Sequence, residues 1–200
     1  MPIDYYHLVF TIPEPLNAWV LQNKALFYRL LFETSAATLQ TIAADPQHLS
    51  AQIGFFSILH TWASTPGPPH LGLHTWGQKL LFHPHIHCVA TGGGISPDGQ
   101  RWVACRPGFF LRVRVLSRLF LEALEKAFRK NKFQFYGQLL ALSNPAAFLA
   151  ILAPLRKIEW VVYAKPPFGG PARVLEYLGR YTHRVALTNR RLLAVSPPPD

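Results

Sequence analysis

The chain has 200 residues, half of them hydrophobic, which suffices for one packed domain and excludes global disorder. Twenty Lys and Arg against ten Asp and Glu leave a formal charge of +10, which points to a polyanionic partner, nucleic acid first. Two cysteines, Cys88 and Cys105, with no Cys-x-x-Cys pair exclude a readable disulfide framework or zinc knuckle.

The start, MPIDYYHLVF, has no basic stretch leading into an apolar run, so no signal peptide is expected and the cytoplasm is the default compartment. Tyr5–Ile12 is rich in β-formers and stops at Pro13, which predicts a strand. Asn17–Ala44 carries Leu26, Leu30, Leu31 and Leu39 near helical spacing and predicts one or two helices, ended by Asp45-Pro46. Ile53–Trp62 predicts a second strand. The Pro/Gly-rich run that follows predicts a loop, bracketed by LHTW at Leu59–Trp62 and again at Leu73–Trp76.

Pro84–Thr91 predicts a third strand closed by Gly92-Gly93-Gly94. Ser96–Gly99 then turns the chain into a short return strand, Arg101–Ala104. Val115–Lys130 predicts a basic amphipathic helix with more helix to Leu152. The apolar stretch Leu139–Leu155, broken by Ser143, Asn144, Pro145 and Pro154, reads as core helix and no membrane span is expected. Ile158–Ala164 predicts a strand, Pro166–Pro171 a rigid connector, Ala172–Val185 a helix and Arg191–Val195 the start of another strand. Helices and strands alternating around a hairpin predict α+β, an antiparallel sheet with helices packed on it.

His85 and His87 stand two apart on a predicted strand, so their imidazoles share a face and suit two neighbouring positions on one divalent ion. In a chain with nine histidines such a pair is a weak signal by itself. A third ligand is expected from a neighbouring strand: His74 is the first candidate, His60 in the duplicate LHTW its rival, and Glu176 a further option. Tyr177 and Tyr181, spaced i, i+4, share one helix face. A buried aromatic stripe would produce the same spacing. However, Arg173, Arg180, Arg184, Arg190 and Arg191 crowd this region, and a helix lying along a phosphate backbone accounts for them better.

His85-Ile86-His87 resembles the His-hydrophobic-His motif of the HUH endonucleases, and Tyr177-x-x-x-Tyr181 the paired tyrosines of their two-tyrosine branch. The nearest likeness is to the rolling-circle transposases of bacterial insertion sequences, carried by YYHLVFTIP, LHTWGQKLLFHPHIHCVATGGGISPDG and WVVYAKPPFGGPARVLEYLGRYTHRVALTNRRL. The resemblance implies an RRM-like or ferredoxin-like palm, a bound Mg²⁺ or Mn²⁺, single-stranded DNA as partner, and a tyrosine that forms a 5′-phosphotyrosine during nicking and joining. Arg184 stands where related replication initiators often carry Lys, and a guanidinium is a poor proton donor. The expected organisation is one catalytic domain over residues 1–200, with 63–76 an inserted loop and without the zinc-binding domain and C-terminal extension of the family. The alternative readings are a DNA-binding remnant of such a transposase without activity, a metal-dependent hydrolase of small phosphoesters, and a structural basic protein with a fortuitous histidine cluster.

Overall fold

The computed structural model describes residues 3–63, 81–106, 114–157, 162–168 and 170–182. Five strands, β1 (Tyr5–Thr11), β2 (Gln52–Ala63), β3 (Leu81–Ile95), β4 (Trp102–Ala104) and β5 (Val162–Phe168), form one sheet of order β2-β3-β1-β5, with β4 added on β3. Every pairing is antiparallel. The helices are α1 (Asn17–Gln22), α2 (Lys24–Ala44), α3 (Arg114–Arg129), α4 (Pro145–Leu155) and α5 (Pro171–Thr182). With β4 set aside this is the split βαββαβ arrangement of ferredoxin-like domains, with β1 and β3 central, as expected of an α+β palm.

Strand alternation sorts the two faces of the sheet. Tyr6, Leu8 and Phe10 of β1, Ile12 just after it, and Ile86, Cys88 and Ala90 of β3 turn one way into the core. There they meet Phe27 and Leu31 of α2, Phe120 and Leu124 of α3, and Phe148 of α4. Trp19 of α1 closes one end, edge-on to Phe133 and Phe135 at centroid distances of 6.4 and 5.8 Å. The alternate residues, His7 on β1 and His85 and His87 on β3, therefore belong to the opposite face.

α2 stops where Asp45-Pro46 was expected to stop it, and the Asp45 carbonyl gathers the N–H groups of His48, Leu49 and Ser50. The helix predicted over Val115–Lys130 is α3, and the further helix expected up to Leu152 comes in two pieces. After α3 the chain runs through an irregular stretch and a 3-10 helix, Gly137–Ser143, before α4. Asn144 starts α4 by accepting from the N–H groups of Ala146 and Ala147, with Pro145 in the first turn. No single helix among the described residues is long and apolar enough to cross a membrane.

Two strands run farther than predicted. β3 continues through Gly92-Gly93-Gly94 because neighbouring chain crowds those positions: a Cβ at Gly92 would lie 2.8 Å from that of Asp4, and one at Gly94 2.4 Å from the Gln52 carbonyl. The glycines there permit close approach and do not end the strand. β5 continues through Pro166 and Pro167, which were expected in a connector. His7 pairs with Lys165 and Tyr5 with Phe168, so three steps on β5 face two on β1 and the prolines occupy the irregularity. β5 lies at the end of the strand order, where a missing N–H costs little. The predicted strand Arg191–Val195 lies outside the described residues.

Candidate metal centre

Register assembles the site. Thr11 and His60 flank His85 on either side, and Val9 and Ile58 flank His87. His60 therefore stands directly across from His85 on β2, on the same face as His87. Ring centroids are 5.4 Å apart for His60 and His85, 4.6 Å for His60 and His87, and 4.9 Å for His85 and His87. One nitrogen from each of the three lies within 4.8 Å of the other two, a spacing that could hold a metal ion. Among the described residues this is the group of three or more metal-binding side chains that meets that spacing.

The electrostatics suit ligation, which needs neutral imidazole. Burial lowers the pKa of His85 to about 4, with the nearby His60 adding to the shift and the His83 carbonyl opposing it. Burial, then His85, lowers that of His83 to about 3. The Nδ1 of His85 lies 2.7 Å from the carbonyl of His83, so in the neutral ring Nδ1 donates and the lone pair is left on Nε2.

A fourth histidine joins from β1. His7 is 2% exposed, and its Nε2 lies 2.8 Å from Nδ1 of His87, itself 8% exposed. The sequence reading passed over His7, although its row on β1 was readable: Tyr6, Leu8 and Phe10 alternate with it, so it had to face the side opposite the core.

Of the third-ligand candidates, His60 is the one the sheet brings to His85 and His87; His74 lies outside the described residues. Glu176 is exposed and paired with Arg173 at 3.2 Å. Tyr177 and Tyr181 fall on α5, one helical turn apart, directly after β5; their side chains, like that of Arg180, are outside the described part. Arg184, Arg190 and Arg191 lie outside it altogether. Arg118 is exposed and reaches Glu122 at 4.0 Å. Trp102 packs over Gly93, where a Cβ would come within 2.6 Å of its ring.

Fold and site together define a class, an antiparallel palm with a histidine cluster suited to a metal on the sheet face opposite the core and a helix of paired tyrosines after the last described strand. The chain belongs to the Y2_Tnp family, described as "Putative transposase", which matches residues 70–197. It is 60% identical over 196 residues to "Putative transposase y4qJ" of Sinorhizobium fredii, covering 96% of this chain and 46% of that protein. It is 24% identical over 204 residues to "Transposase for insertion sequence element IS801" of Pseudomonas savastanoi pv. phaseolicola, covering 94% of this chain and 41% of that one. The chain thus spans less than half the length of these curated relatives. No solved structure matches it.

Proposed function

We propose that this chain is the catalytic palm of a rolling-circle transposase that nicks and rejoins single-stranded DNA through a 5′-phosphotyrosine. The observation that carries the reading is the trio His60, His85 and His87, with ligand nitrogens within 4.8 Å on the sheet face opposite the core. Family membership and the relatives' printed names support DNA as the substrate; its single-stranded form is part of the proposal.

His60, His85 and His87 would hold a divalent ion. Their all-imidazole donor set ranks transition ions such as Mn²⁺ above Mg²⁺, which prefers oxygen. When bound, such an ion supplies positive charge to the non-bridging oxygens of the scissile phosphate. The remaining chemistry belongs to the chain. A free phenol, with a pKa of about 10, is a weak nucleophile at neutral pH and must lose its proton as it attacks. The oxygen of Tyr177 or Tyr181 bonds to phosphorus. The bond to the 3′ oxygen breaks, and that oxygen takes a proton to leave as a hydroxyl. The 5′-phosphotyrosine keeps the energy of the broken ester, so a 3′-hydroxyl can reverse the step and rejoin DNA without ATP. Two phenols allow a second strand to be cut while the first remains attached. The arginines from Arg173 to Arg191 would neutralise the backbone.

Labelled single-stranded DNA incubated with the protein and Mn²⁺ should form a covalent adduct resistant to denaturation. The adduct should disappear in EDTA and in the double variant Tyr177→Phe, Tyr181→Phe. An adduct that survives in that variant would remove the tyrosines from the reaction; binding without any adduct would favour a DNA-binding remnant.

A further inference from the structure

The cluster has a member that no ligand count needs. His7, buried at the centre of the sheet on β1, meets His87 nitrogen to nitrogen at 2.8 Å. The two ring planes differ by 8° and the ring centres are 5.0 Å apart. For nearly parallel rings, a nitrogen separation so much shorter than the centre separation requires that they meet edge to edge, almost in one plane. The contact is therefore a hydrogen bond along the in-plane lone-pair direction and not a face-to-face stack.

This contact engages Nδ1 of His87. With Nδ1 held by His7, only Nε2 can serve the cluster formed with His60 and His85. For Nε2 of His87 to offer a lone pair, the proton must sit on Nδ1 and point at Nε2 of His7, which must be bare. The opposite arrangement, His7 donating, would leave a hydrogen on the ligand nitrogen of His87. His85 is held the same way through its Nδ1, by the carbonyl of His83.

We infer that His7 is a positioning residue, which accepts the Nδ1 hydrogen of His87 and so fixes the His87 tautomer and ring orientation for metal binding. The inference rests on the proposed metal site. It assigns to an imidazole on the adjacent strand the orienting role that a carboxylate or carbonyl fills behind many metal-bound histidines.

The test uses the full chain and Co²⁺ as probe, followed by its visible absorption, with circular dichroism to check the fold of each variant. His7→Phe keeps a flat ring and removes the acceptor; His7→Gln restores an acceptor at similar reach. We expect Co²⁺ affinity to fall by about 10- to 100-fold in His7→Phe and to recover to within about threefold of wild type in His7→Gln. Equal affinity in wild type and a folded His7→Phe overturns the inference and leaves the metal site standing. Failure of wild type to bind Co²⁺ overturns the site itself. A second measurement needs no variant. The long-range ¹H–¹⁵N spectrum of the metal-free wild-type chain should show His87 protonated on Nδ1 and His7 bare on Nε2, and a proton on Nε2 of His87 in that spectrum overturns the inference even if His7→Phe does not fold.

Discussion

At the scale of single residues, burial lowers the pKa of His85, one of the three candidate ligands, and of its neighbour His83. Folding holds His83 and His85 neutral at pH values where the unfolded chain, with an ordinary histidine pKa of 6.5, begins to take up protons. The unfolded state then binds more protons than the folded one, so stability must fall as the pH drops below 6.5 and keep falling towards about 4, where His85 itself titrates in the fold. Urea unfolding of the metal-free protein should therefore show a lower midpoint at pH 5 than at pH 7.5. His85→Asn should flatten that dependence, and parallel profiles for variant and wild type would mean that His85 contributes nothing to it. His60 makes a separate prediction. Removing one of the three proposed ligands by His60→Ala should weaken Mn²⁺ binding at least tenfold in a calorimetric titration. An unchanged isotherm would return the third position to another residue.

At the scale of elements, the strands decide both what could be read from the sequence and what could not. The His85–His87 pair was legible because alternation along one strand is a local property. His60 was legible only as one of two copies of LHTW, since which copy faces His85 depends on the register of β2 against β3, settled by contacts between residues 25 apart in sequence. For His7 the face was legible from alternation along β1, but its partner, 80 residues away, was not. Gly92-Gly93-Gly94 and Pro166-Pro167 were read as breaks because locally they are; neighbouring backbone in the first case and a bulge beside an edge strand in the second reverse the local preference. The glycine account is open to test. In Gly94→Ala the new methyl meets the Gln52 carbonyl at 2.4 Å, backbone that cannot swing aside. Pushing β2 off β3 at that point should cost about 1–3 kcal/mol, read as a lower urea midpoint. A variant as stable as wild type would show that the two strands separate there freely.

At the scale of the whole molecule, the charge of +10 is unevenly spread along the chain. From Arg173 to Arg191 five arginines stand against the single acid Glu176, and the first of them is already engaged with that acid. His83 and His85 add little to this field, because burial keeps both uncharged near neutral pH. On the proposed function two kinds of cation divide the work: a divalent ion held by the histidine cluster would act on one phosphate, and the arginines on and after α5 would act on many. The two should separate in solution as well. Single-stranded DNA binding, followed by anisotropy with a homopolymer, should weaken steeply with salt, because each neutralised phosphate releases condensed counterions. Replacing Arg190 and Arg191 together by Ala should lower the slope of log affinity against log salt by about 1.4, two contacts at roughly 0.7 each. His85→Ala should leave that slope unchanged while removing adduct formation. If the slope instead followed the histidines and ignored the arginines, DNA would be held at the sheet face and the region beginning at α5 would lose its assigned role in tracking the backbone.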